Sequence, residues 1–242
     1  MIKVVWGLAA LFVSALEWGH AGGFATGNGG LSVACIESRY EDYQHTFFVH
    51  EARLFDLVRW PKSYIQFTQS QQALEHGLRV MSEVRPDLMD GLKEEVDRLQ
   101  LFIAEHRRRY EEGYSMWLYD PTNDYPDRES FVYHCRNGQR AEVYQTARYV
   151  SPTNMKLAIE IYLALPPLDQ GAFVLHEAIY QLATVQGQEP PTADPVMKII
   201  SAAFASAFGS DNLSEREAAR KHLQDQIDKL IPFKGAHGSK VF

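Results

Sequence analysis

The stretch from Asp169 to Gly187, DQGAFVLHEAIYQLATVQG, limits what this chain can fold into more than any other. Leu175, Ile179 and Leu182 recur at helical spacing, and Val174 and Ala178 widen their stripe over most of the circumference. A helix with so little polar surface has to be surrounded, so the remaining chain must supply packing on several sides of it. Asp169 is placed to cap its start after Pro166 and Pro167, and Gly187 to end it in a left-handed turn. The expectation is a buried central helix over about 169–186.

His176 and Tyr180 are four residues apart and share a face, with Glu177 at its edge. The layout resembles the active-site helix of zincins, where HExxH brings two imidazoles to one metal and sets a Glu beside its water. Here the motif is HExxY. A phenol must lose a proton with a pKa of roughly 10 before it ligates a metal, so Tyr180 is the poorer ligand. The resemblance implies a metal-dependent, peptidase-like hydrolase. In it His176 would bind zinc, Glu177 would polarise the metal-bound water as general base, and Tyr180 would donate to the developing oxyanion. Further ligands would have to come from remote residues, for which His50, Glu51 and His134 are the suggestions. The same residues also read as a buried polar cluster. In that reading His176 and Glu177 hydrogen-bond each other or neighbouring backbone, and fix the helix against a sheet.

The N-terminus bears on the compartment. Lys3 supplies a positive start, Val4 to Leu16 an apolar run, and Gly19-His20-Ala21 small residues where a signal peptidase inspects. Residues 1–21 therefore read as a secretory signal peptide, with an uncleaved N-terminal membrane anchor as the alternative, and export to the periplasm or outside the cell is expected. The run is too short to span a bilayer, and no later segment reaches the required length. Removing it takes away Lys3 and Glu17 together, so the net charge stays at −7. That acidity, with a pI near 5.7, argues against nucleic acid as a partner. An envelope or extracellular protein or peptide is the partner class left open.

Export gives meaning to the two cysteines, Cys35 and Cys135. In an oxidising compartment they most simply form one disulfide, with two buried free thiols as the alternative. Closing a loop of about a hundred residues contributes roughly 4 kcal/mol in the chain-entropy model. Neither Cys has a second one close in sequence, which disfavours a metal role.

The rest fits a single α+β domain over 31–232, mainly helical with a small antiparallel sheet. Gly22 to Gly30 is a glycine-rich segment without the strand-then-helix context of a nucleotide-binding loop. Leu31 to Ile36 reads as a short strand. Tyr43 to Val58 reads as a helix, with Phe47, Glu51, Leu54 and Val58 on one side and Trp60-Pro61 as its stop. Residues 69–113 form a helical hairpin, split at Arg85-Pro86-Asp87. The charged end His106 to Glu112 reads as a solvated helix terminus. Aromatic and β-branched residues then dominate from Tyr114 to Val150, with turn signals at Pro121 to Asp124 and Asn137-Gly138, and read as the sheet. Val196 to Phe208 is an apolar helix expected to pack on the central one. Leu213 to Ile231 is an amphipathic helix with Leu223, Ile227 and Leu230 inward, and residues 233–242 read as a flexible tail.

With these elements placed, the chain resembles a group of exported bacterial proteins, most of them described only as hypothetical. They share a leader, a Gly-Asn-Gly-Gly segment before a Cys, a helical middle, a second Cys in a β-region, and a late helix of the form LHE-x-IYR. Gly27 to Gly30 precede Cys35 here, Tyr144-Gln145 follow Cys135, and Leu175 to Tyr180 match the helix. The departure is Gln181, where such proteins usually carry Arg. The resemblance implies export, one domain and a shared His-Glu-Tyr element, and implies no activity.

Overall fold

In the computed structural model, residues 30–41, 44–59, 63–113, 135–136, 141–151, 154–185 and 193–232 are described. The expected leader, most of the glycine-rich segment, Trp60-Pro61, residues 114–134, Asn137-Gly138, Gly187 and the tail lie outside them. The described chain is α+β and mainly helical, with seven helices and short antiparallel sheets.

Two strands, β1 (Leu31–Glu41) and β2 (Gln44–Leu54), form an antiparallel ribbon. A third, β3 (Glu142–Gln145), pairs antiparallel with the start of β1, giving the order β2-β1-β3. The first strand is thus the central one, and its first half is covered on both faces. Leu31, Val33 and Cys35 point into a small cluster with Phe55, Cys135 and Met197. Ala34 and Ile36 join the main core.

The helix expected over Tyr43 to Val58 is a strand for most of its length, and only α1 (Phe55–Arg59) is helical. Ala52 and Leu54 are buried while Glu51 and Arg53 are only partly so, a period of two. The run Thr46 to Val49 is aromatic and β-branched, which suits a pleated surface better than a helix. The Leu31 strand runs further than expected, to Glu41. The segment Ala141 to Val150 is not one strand either. It breaks at Thr146 into β3 and β4 (Ala147–Ser151), and β4 turns away to pair with β5 (Asn154–Leu157) in a separate sheet. Thr146 makes the corner: its N–H donates to the Gly30 carbonyl at 2.9 Å, its hydroxyl donates to Ser32 Oγ at 2.6 Å, and its carbonyl accepts from Ala158 N at 2.8 Å.

The helical hairpin stands as expected, with α2 (Ser70–Val84) and α3 (Met89–Glu111) joined through a 3-10 turn that opens on Pro86. Arg85 at the joint is buried, clasps Asp87 through two hydrogen bonds, and reaches Asp228 and the Ile231 carbonyl. It ties the hairpin to the end of α7 (Leu213–Leu230), whose Leu223, Ile227 and Leu230 face inward. A short α4 (Ile159–Ala164) leads through Pro166 into α5 (Pro167–Val185).

Helix α5 is the central element. Every residue from Gly171 to Ala183 is buried, enclosed by α2, α3, β2 and α6 (Ala193–Ala203). Its start differs from the expectation. Pro167 opens the helix, so Asp169 lies inside the first turn and its side chain reaches another element instead of capping its own. The crossing with α2 is close because Gly171 has no Cβ. One built there would lie 2.7 Å from the Leu74 nitrogen and 2.8 Å from the Ser70 carbonyl oxygen.

Those obstacles are backbone atoms that no rotamer change relieves. Ala in place of Gly favours a helix interior by about 1 kcal/mol, whereas overpacking costs about 1–3 kcal/mol. Backbone that cannot yield puts the overpacking in the upper half of that range, about 2–3 kcal/mol, so Gly171→Ala is expected to destabilise the protein by about 1–2 kcal/mol net. Urea melts check this, and an unchanged or raised midpoint would show that the two helices are not in backbone contact.

Candidate functional site

Asp169, Phe173, His176, Glu177 and Tyr180 follow one another at spacings of three, four and one residues and so share a face of α5. This face meets the N-terminal ribbon and α1. Asp169 is wholly buried, and its Oδ2 accepts from Leu54 N at 2.7 Å and Arg53 Nε at 2.8 Å. His176 Nδ1 lies 2.6 Å from Oδ2 of Asp56, on α1, and both side chains are inaccessible. Glu177 is 0% exposed, and its Oε1 accepts the backbone N–H of Gly30.

Gly30 is the residue this contact requires. A Cβ on it would lie 2.6 Å from the Phe173 ring and 2.8 Å from Glu177 Oε1. Its carbonyl accepts from Thr146 N and Ala147 N. One glycine thus joins the central helix, the first strand and the corner between the two sheets.

Tyr180 is 3% exposed and stacks on Tyr149 of β4, with ring centroids 5.5 Å apart and planes 15° from parallel. Burial, and then the Glu177 carboxylate, push its hydroxyl pKa up to about 12. A phenolate ligand to a metal is correspondingly disfavoured, while a neutral donor is not. Burial is also the chief reason that Tyr149 is raised well above the ordinary tyrosine value, with Glu177 the next cause and Gln181 opposing it. Gln181 is itself buried and brings no charge to the carboxylate.

Burial raises the pKa of Glu177 against the lowering effects of His176, the Gly30 N–H and Tyr149. Asp169 is raised for the same first reason, against Arg53 and the Leu54 N–H.

At zinc sites a carboxylate on one imidazole nitrogen commonly accompanies a metal on the other. Asp56 gives His176 that partner. The described residues do not assemble the rest of a zinc site around it. Their only set of three His, Cys, Asp or Glu groups with converging ligand atoms is Cys35, Glu51 and Cys135. His50, suggested as a ligand, pairs with Glu37 at 2.9 Å, and Glu51 lies against Cys35 and Arg136. His134 is outside the described residues. Nor does either of two surface clefts reach His176, Glu177 or Tyr180. A cleft of about 300 Å³ has Leu74, Arg107, Tyr162 and Val174 in its walls. The other, of about 630 Å³, is lined by Glu37, His50, Glu51, Arg53 and Arg136 among others.

The cysteines behave as expected: Cys35 and Cys135 are joined, with sulfurs 2.01 Å and Cα atoms 5.7 Å apart. Sequence reasoning missed Asp56 and Gly30. The available signal for Asp56 was a lone carboxylate in the apolar run LFDLV; for Gly30 it was a glycine directly before the first strand.

Glu177 and Asp169 hold their protons more tightly folded than unfolded, so the folded state binds more protons across that window. Their contribution to stability is full below the ordinary carboxylate range and is lost as pH rises through the raised values. Glu177→Gln keeps a carbonyl for the Gly30 N–H and removes the buried charge. Its expected effect near neutrality is within about 1 kcal/mol, with a flatter decline of stability above pH ~4.5. Glu177→Leu strands the Gly30 N–H and is expected to cost about 1–3 kcal/mol. Denaturant melts across a pH series test both, and a wild-type slope retained by Glu177→Gln would remove Glu177 as its source.

A scan against protein-family models, a search of curated proteins and a search of solved structures each return no match for this chain.

Proposed function

We propose that this is an exported, envelope-associated or secreted binding or structural protein, in which His176, Glu177 and Tyr180 hold the central helix to α1, to the start of the ribbon and to β4 respectively. The observation that carries this reading is the closure of the site. The three side chains are 0–3% exposed and their partners are Asp56, Gly30 and Tyr149 of the same chain. Hydrolysis needs a water and a substrate carbonyl at the base, and Glu177 is closed off from solvent. No described helix is long and apolar enough to cross a membrane. The joined cysteines and the leader pattern support export. The resemblance to exported bacterial proteins gains a physical sense here, because the glycine segment and the LHE-x-IY helix meet at Gly30 and Glu177.

The second reading is the zincin-like hydrolase, which the Asp56–His176 pair alone favours. It makes His176 a zinc ligand, Glu177 the general base and Tyr180 the oxyanion donor.

Metal content and melting separate the two. On the structural reading, purified protein holds no stoichiometric zinc. His176→Ala then leaves Asp56 buried without its partner and is expected to cost about 3 kcal/mol, whether or not zinc is added. Tyr180→Phe is expected to be near neutral, since the stacked ring remains. One zinc per chain that disappears in His176→Ala with the fold intact would establish the metal reading instead. Export is tested by intact mass: protein recovered from the periplasm or medium should begin at Gly22 and lack two hydrogens until reduced. An uncleaved cytoplasmic chain, or two free thiols, would defeat it.

A further inference from the structure

We propose that, once the Cys35–Cys135 bond is reduced, the two cysteine sulfurs and the Glu51 carboxylate form a binding site for one zinc ion. Glu51 is the cross-strand partner of Cys35 in the ribbon, so their side chains share a face. A bulge at this point sets His50 and Glu51 together opposite the step from Cys35 to Ile36. As a result Glu51 Oε1 stands 3.3 Å from Cys35 Sγ, and ligand atoms of all three residues lie within 4.8 Å of one another.

In the disulfide form this contact has no hydrogen to share. The carboxylate's donors are the Arg136 N–H at 2.8 Å and, more distantly, its guanidinium at 3.5 Å. Reduction changes the balance. Two molecules of a thiol reductant give two electrons and two protons to the S–S bond and leave as their own disulfide. Cys35 and Cys135 then carry S–H groups in a pocket of Leu31, Val33, Phe55 and Val143. Apolar surroundings hold thiols protonated and inert. Zinc overcomes that by displacing both protons to solvent, and two thiolates and a carboxylate compensate its charge.

The geometry needs little adjustment. Tetrahedral zinc with ordinary bond lengths separates a sulfur and an oxygen ligand by roughly 3.6 Å and two sulfurs by roughly 3.8 Å. The 3.3 Å contact between Glu51 and Cys35 is already close to the first separation, and the sulfurs have to move apart to reach the second. Glu51 is partly open to the cleft of about 630 Å³, from which water can fill the fourth position. The metal would do under reducing conditions what the disulfide does under oxidising ones: tie β1 to the segment carrying Cys135.

The test uses the whole chain, reduced with a phosphine that does not compete for metal and titrated with Co²⁺ and then Zn²⁺. Reduced protein should take up one Co²⁺ with thiolate-to-metal charge-transfer bands, and Zn²⁺ should displace it. Oxidised protein should take up none. Glu51→Gln, which retains the cysteines and can be checked for its fold in the oxidised state, should bind at least tenfold more weakly, since even loss of an outer-shell partner costs about 10–100-fold. Cys135→Ser should lose the charge-transfer bands. If reduction unfolds the chain, one equivalent of Zn²⁺ should restore its far-UV circular dichroism. The proposal is overturned if reduced protein binds no metal, if zinc fails to restore an unfolded reduced chain, or if Glu51→Gln binds as tightly as wild type.

Discussion

Three carboxylates that water cannot reach, those of Asp56, Asp169 and Glu177, must each find a donor inside the protein. Leaving such a group unpaired costs more than a typical hydrogen bond gains. The donors come from across one seam: Gly30 N–H for Glu177, Leu54 N–H and Arg53 for Asp169, and the His176 ring for Asp56. Gly30 adjoins the start of β1 and Leu54 is the end of β2. The ribbon is therefore fastened to α5 at both strands. The two anchor points lie eight residues apart on the helix, roughly 12 Å along its axis. That separation sets how the ribbon lies across the helix, and the core on either side is packed around the result.

Such a seam has directional partners, which an apolar interface lacks. A ribbon one residue out of register would put its side chains on opposite faces and lose the Leu54 and Gly30 donors together. The polar residues of α5 thus specify one seating among several that Leu, Val and Phe would accept. The buried charge has a cost in stability, visible in the raised pKa values of Glu177 and Asp169. It also explains why a motif so close to a zincin helix is shut away: Glu177 is engaged with Gly30 before the first strand, His176 with Asp56 on α1 and Tyr180 with Tyr149 on β4.

Much of the helical part was legible in the sequence. The stripes of α3, α5 and α7 repeat at helical spacing over many residues, and the proline at the hairpin joint marks a boundary of its own. The ribbon was not legible to the same degree. In β2, aromatic residues interrupted by charges satisfy a four-residue spacing as readily as a two-residue one, and the bulge at His50 breaks the alternation that would have decided it. The corner at Thr146 was hidden because the residues on both sides of it suit a strand. At the site, the sequence supplied His176, Glu177 and Tyr180 but not their partners. Asp56 is 120 residues from His176, and Gly30 is 147 residues from Glu177. Nothing local to either helix or strand encodes pairings over that distance.

The strand order has a consequence for when the protein can close. The central strand of the sheet is the first one synthesised, yet its second neighbour, β3, follows about a hundred residues later. The acceptor for Gly30 arrives later still. A ribbon of β1 and β2 alone has both edges open and little to bury itself against. The chain therefore stays unlocked through most of its own synthesis, and the final tertiary contacts of its first strand wait until residues 177 and 197 have emerged. Contacts of such long range make closure slow. A delay of that length is a hazard for a protein that must fold where it is made, and a convenience for one that has to be threaded elsewhere before it folds.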